Sequence, residues 1–134
     1  MVAATKDLRR TARTGDGYGY QVPEGTLIYG GTIVAVTAAL AALPAGSAGT
    51  VAVAGVAEQR IDTRQGAAVE EDGQTVRAMR GVFLFPVTGA TPANIGDPVY
   101  AVDDATLSLD DSAGTRLKAG VIDGIDATGV WVRF

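Results

Sequence analysis

Apolar strand, glycine, acidic turn, apolar strand: this order recurs through the second half of the chain and limits it to short extended elements. It appears in Gly-Val-Phe-Leu-Phe-Pro-Val at 81–87 and Ile-Gly-Asp-Pro-Val-Tyr at 95–100. It returns in Ala-Gly-Val-Ile-Asp-Gly at 119–124 and in the closing Gly-Val-Trp-Val-Arg-Phe at 129–134. Runs this short, bounded by turn residues, are strands of a barrel or a sandwich. Gly81, Gly96, Gly120 and Gly129 are expected at strand starts, where turns or tight backbone crossings need them.

The first half reads the same way with smaller residues. Leu27-Ile28-Tyr29 and Thr32–Val36 are β-branched and aromatic, with Gly30-Gly31 between them as a bend or bulge. The alanine run after Val36 is stopped by Pro44 and Gly46 before two or three helical turns form, so a turn or loop is expected there. Thr50–Ala54 is a strand of small residues. Residues 61–75 are polar and read as a loop with an Asp-Gly turn. Val76–Arg80 alternates small or apolar with cationic residues, a strand with one wet face. Gly81–Val87 is too apolar for that pattern, so both its faces are expected to be covered, one by the core and one by another element or subunit. Pro86 cannot donate to a ladder and places the end or the edge of that strand. Thr91-Pro92 suits one short helical turn. Strands are expected at Val99–Val102, Thr106–Leu109, Ala119–Ile125 and Gly129–Phe134, the last two as a hairpin around Asp126–Gly129. The fold class is therefore all-β: a small barrel or sandwich of short antiparallel strands over 23–134, preceded by an extended N-terminal arm over 1–22.

Composition narrows the chemistry. With 134 residues the chain suffices for one core, but alanine, valine and glycine dominate and aromatics are only 6%; small side chains bury little area each, so partner subunits are expected to add stability. There is no histidine and no cysteine. That removes the usual base near neutral pH, the commonest metal ligand, disulfides and thiolate sites. Ser47, Ser108 and Ser112 stand in no nucleophile-elbow context, and no phosphate-cradling glycine loop is present. Asp103-Asp104, Asp110-Asp111 and Glu70-Glu71-Asp72 are the only candidates for metal or acid–base work; neighbours on a strand face opposite ways, so turn formation is their expected role. The reading is of a non-enzyme without a cofactor or metal.

Lys6, Arg9, Arg10 and Arg13 against Asp7 and Asp16 give residues 1–20 a balance of +2, which leaves −6 on the rest of a chain of net charge −4. An acidic body is unsuited to a duplex, and the apolar run at 33–44 is too short to span a membrane; neither nucleic acid nor membrane is an expected partner. The basic arm, with Tyr18 and Tyr20 on one side if it is extended, is the expected grip on a neighbour. Tyr29, Phe83, Phe85, Trp131 and Phe134 are expected at an inter-subunit contact or in the core.

The order and spacing of the strings at 81–87, 95–100, 119–124 and 129–134 resemble the small capsid cement, or decoration, proteins of tailed bacteriophages. The resemblance covers roughly residues 27–134, with Gly49–Ala57 a weaker, compositional match. Residues 1–20, longer and more basic, and the polar 58–75 depart from the pattern. The resemblance implies a β-rich homo-oligomer, a trimer, on the outer surface of the virion capsid, where it binds the major capsid protein and stabilises the shell. The arm from Thr11 to Val22 would pair with an exposed edge of a neighbour. A head–tail joining or tail accessory protein, and a carbohydrate or host-surface binding module, are the alternatives.

Overall fold

The computed structural model describes residues 15–64 and 75–134. Over these the chain is all-β and its strands pair antiparallel in several sheets. The strands are β1 Gly17–Gln21, β2 Leu27–Ile28, β3 Ile33–Thr37, β4 Ala42–Pro44, β5 Thr50–Ala57, β6 Ile61–Asp62, β7 Thr75–Met79, β8 Val82–Leu84, β9 Pro98–Ala101, β10 Leu107–Ser108, β11 Lys118–Asp126 and β12 Gly129–Arg133. Among the described residues the only helical element is the 3-10 turn Pro92–Asn94, which begins beside Thr91 as its proline suggests and is braced by the Thr91 N–H donating to Asn94 Oδ1 at 2.9 Å.

A first five-stranded sheet runs β1-β7-β5-β3-β4, a second runs β10-β9-β11-β12-β8, and β2 with β6 forms a two-stranded ribbon. One isolated parallel bridge, Gln21 to Ala41, ties β1 to the residue before β4; another, Val87 to Leu107, ties β10 to the chain beyond the end of β8.

Period-two alternation explains most of the packing. In β7, Val76 and Ala78 are buried while Thr75 and Arg77 are exposed. β3 is different: Ile33, Val34, Ala35 and Val36 are all buried. Ile33 and Ala35 join Val99, Leu107, Ile122 and Val132 of the second sheet in one cluster. Val34 and Val36 join Ile28, Ile61, Val76 and Ala78 in another. β3 is thus the partition between two cores, and its large side chains each contribute about 1.5–3 kcal/mol by burial.

Two glycines sit where a backbone passes too close for any side chain. At Gly55 an added Cβ would land on the Met79 carbonyl, and at Gly120 on that of Arg133. Both lie at register shifts of their strands, Gly55 opposite Val34 and Gly120 opposite Val99. Gly120 is therefore not at a strand start as expected but inside β11, where the bulge brings β12 against it.

Two further expectations are refined. The alanine run makes the expected turn, Leu40 N–H donating to the Thr37 carbonyl and Thr37 N–H to the Ala41 carbonyl, but then enters an unexpected strand, β4. Ala42 is fully buried there, and Pro44 is tolerated because β4 is outermost. Among the described residues no element covers the second face of 81–87, which leaves a subunit as the cover the sequence allowed. β8 is the outermost strand of its sheet and ends before Pro86, as that proline requires, but Val82 and Leu84 are 42% and 44% exposed.

Candidate contact surface

Lys6, Arg9, Arg10 and Arg13 lie outside the described residues, as does Glu70-Glu71-Asp72. Tyr18 and Tyr20 do not belong to a free arm: they are in β1, paired opposite Ala78 and Val76 of β7. They share one side of the strand, and Tyr20 packs on the buried cluster of the first sheet. The other side of β1 carries Gly17 and Gly19. A Cβ at Gly17 would lie 3.0 Å from Arg77 Nε, and one at Gly19 3.1 Å from Thr75 Cγ2. The Gly-Tyr-Gly-Tyr alternation thus makes room for Arg77, which reaches Glu58 at 3.4 Å and Asp16 at 3.9 Å. An arm reaching a neighbour through residues 17–21 would have to give up these pairs with β7, so the segment expected as arm through residue 22 ends before β1.

Phe83, Phe85 and Phe134 come together. The Phe134 ring meets Phe83 edge-on at 6.0 Å and Phe85 at 5.2 Å. Phe85 is buried, and all three pack in the cluster of the second sheet, so these are core residues. Tyr29 is 52% exposed, with the Arg60 guanidinium 5.5 Å from its ring centre. Beside it Asp62 receives a two-pronged bond from Arg64, at 2.9 and 2.8 Å. That bond, with the Arg64 N–H and the Arg60 charge, holds the Asp62 carboxyl down at about 2.

Trp131 stands on the outward face of the second sheet, and the cross-strand partners show what surrounds it. Leu84 is opposite Trp131 and Val82 opposite Arg133 on β8, while Gly124 and Val121 oppose the same two residues on β11. Opposed residues share a face. Val82, Leu84, Trp131 and Val121 therefore form one outward apolar patch, while Phe83, Val132 and Ile122 point into the core. Gly124 leaves open space beside the indole. Arg133, ion-paired to Asp123, borders the patch. The Trp131 indole N–H donates to Asp126 Oδ2 at 2.9 Å, and Asp126 Oδ1 accepts the Thr128 N–H at 2.8 Å. These bonds, that from Thr128 foremost, hold the Asp126 carboxyl below its ordinary range. The tryptophan is thus pinned before any partner arrives. A groove of about 500 Å³ lined by Leu84, Phe85, Pro86, Val87 and Val130 continues the patch around β8.

The backbone of β8 is as informative as its side chains. Phe85 N–H donates to the Val130 carbonyl at 3.1 Å, and Phe134 N–H to the Gly81 carbonyl at 2.8 Å. In an antiparallel ladder alternate residues turn their polar groups the same way. Those of Gly81, Phe83 and Phe85 face β12, and those of Val82 and Leu84 face away from it. Sequence reasoning did not single out Val82 and Leu84. The signal was present in their two-residue spacing, but the neighbouring phenylalanines made the whole run look buried.

In each of the two described acidic pairs the first carboxylate builds a turn. Asp103 Oδ1 accepts the Ala105 and Thr106 N–H groups at 2.8 and 2.7 Å, and Asp110 Oδ1 that of Ser112 at 3.1 Å. The first of these turns lowers the Asp103 pKa, the Ala105 N–H bond being the main cause. Among the described residues no group of three or more acidic side chains is placed to hold a metal ion, and no helix is long and apolar enough to cross a membrane. The chain matches no protein-family model, no curated protein and no solved structure.

Proposed function

We propose that this protein is a structural module that works by presenting a rigid contact surface, and that the surface decorates a bacteriophage head. The observation that carries the reading is the patch around Trp131. An apolar centre with a pinned aromatic and a charged border is the anatomy of a protein–protein contact. A side chain already immobilised loses little entropy on binding. The placement on a capsid comes from the resemblance of the strand-and-turn strings, and the major capsid protein and further copies of this chain, grouped about a three-fold axis on the outer surface of the virion, are the partners it proposes. Weak individual contacts suffice there, because a lattice repeats them.

The same reading takes each five-stranded sheet as a small barrel. The bridges Gln21–Ala41 and Val87–Leu107 support it, since they tie β1 to the residue before β4 and β10 to the chain beyond the end of β8, leaving the Val82–Leu84 edge itself unbridged among the described residues. Closure of this kind gives a scaffold stiffness from small residues that supply only thin cores.

The test is a reconstruction of the native particle. Density for the chain at many equivalent lattice positions, with the Trp131 face against a neighbouring subunit, is the expected result. A single ring on the tail axis, or a Trp131 face turned to solvent in every copy, overturns the reading.

A further inference from the structure

We infer that the outer edge of β8, unpaired among the described residues, pairs with the β8 of a second copy of this chain, antiparallel and centred on Phe83. The strand is its own complement. With Phe83 opposite Phe83 of the second copy, Val82 stands opposite Leu84 of that copy, and the two-fold axis repeats the pair. Both residues turn their N–H and C=O outward, so each pair exchanges hydrogen bonds in both directions. No bond from β8 to β12 is given up.

The side chains agree with the backbone. Val82 and Leu84, both exposed, would meet Leu84 and Val82 of the second copy on one face of the joined sheet, an apolar cross-strand contact. Edge strands are ordinarily shielded by charge, yet no charged residue occurs between Arg80 and Asp97. Two chains of net charge −4 thus bring no like charges together along this strand. The nearest cation, Arg133, is already paired with Asp123. Pro86 stands at the next outward-facing position and has no N–H to offer. The pairing surface therefore ends at Leu84, which fixes the register to the short run Val82–Leu84. A two-fold contact of this kind is isologous and separate from any three-fold grouping on a shell.

This deepens the proposed function, resting on it only for the presence of many copies, and it is tested on the purified full chain without particles. A failure here leaves the capsid reading standing. Light scattering after size exclusion, over a concentration series, is expected to give a monomer–dimer equilibrium. Leu84→Pro removes one outward N–H and no bond to β12, and is expected to leave a folded monomer. Should that variant fail to fold, charge variants decide. Val82→Lys with Leu84→Lys sets lysine against lysine and is expected to abolish the dimer. Val82→Glu with Leu84→Lys sets unlike charges opposite each other in this register, and is expected to restore it. A wild-type monomer throughout overturns the inference, as does a folded Leu84→Pro variant that dimerises unchanged. So does rescue failing in the Glu/Lys variant, or a strand of some other protein found on β8 while the free chain stays monomeric.

Discussion

Asp126 holds both the turn of the β11–β12 hairpin and the indole of the tryptophan that follows it, one carboxylate oxygen for each. Trp131 fluorescence should therefore report the protonation of Asp126. Hydrogen bonding favours the ionised form and lowers its pKa, so the group stabilises the fold above the ordinary carboxylate range. That contribution fades as pH falls through the lowered value. A fluorescence titration should show one acid transition displaced below that of a free carboxylate, and Asp126→Asn should remove it. An unchanged titration in the variant would sink the assignment.

A second acid-dependent contact lies on the two-stranded ribbon. The Asp62 carboxyl, held down at about 2 by Arg64, contributes stability that is fully present above its unfolded value. That contribution disappears as pH falls from about 4 towards about 2. Asp62→Asn should lower the urea midpoint at pH 7 and match the wild type near pH 2. Equal midpoints at neutral pH would show that the Arg60–Asp62–Arg64 group is only a solvated surface feature.

Because β3 divides its residues between two cores, loss of one side should be felt on the other. Ile33→Ala removes a fully buried side chain from the cluster of the second sheet and should cost about 2–5 kcal/mol. Unfolding should remain a single transition, with tryptophan fluorescence, which reports the second sheet, coincident with the far-ultraviolet signal of the whole. Two separated transitions would mean that the sheets are independent.

Gly120 and Gly124 lie four residues apart on β11 and should respond unequally to the same change. A methyl group at 120 meets the Arg133 carbonyl and comes within 3.2 Å of Val132 Cγ1, whereas at 124 nothing stands within 4 Å. Gly120→Ala should destabilise by about 1–3 kcal/mol, and Gly124→Ala should stay within about 0.5 kcal/mol of the wild type. Chemical denaturation distinguishes them, and similar losses at both sites would contradict the bulge geometry.

Truncation separates the arm from the sheet. Removing residues 1–14 leaves β1 and its pairing with β7 in place, so the melting temperature should hold while, on the proposed head decoration, occupancy on expanded heads falls. Removing residues 1–21 also deletes β1 and uncovers Val76 and Ala78; the domain should then melt markedly lower. Full head occupancy after the shorter truncation would dismiss the arm as the grip.

The second half of the chain was the more legible. Glycine and aspartate mark its turns, so the hairpin at Asp126–Gly129 could be read directly, and the strand expected at Val99–Val102 lies at Pro98–Ala101. The first half resisted because alanine fits a turn, a helix or a strand core equally well, and tertiary packing alone turned Ala42 into a strand residue. Short runs in which every residue is apolar, such as 81–87, lose the alternation that tells one face from the other. That is why Phe83 and Phe85 could be placed only as core or contact, and why the exposure of Val82 and Leu84 emerged only from the pairing with β12. Tyr18 and Tyr20 were read correctly as sharing a side, but nothing local revealed that β7 waits to receive their strand.

The burial of β3 on both sides has an effect on how the chain finds its alignment. A strand with one wet face is proofread by water, since slipping one residue exposes its apolar set. β3 has no such check: moved by one place, it would still bury valine, isoleucine and alanine in both directions. Alignment must come from shape instead, and Gly55 opposite Val34 supplies it, a notch where only a residue without a side chain lets the Met79 backbone pass. The position that keeps this sheet in step is thus the one residue of β5 with nothing to pack.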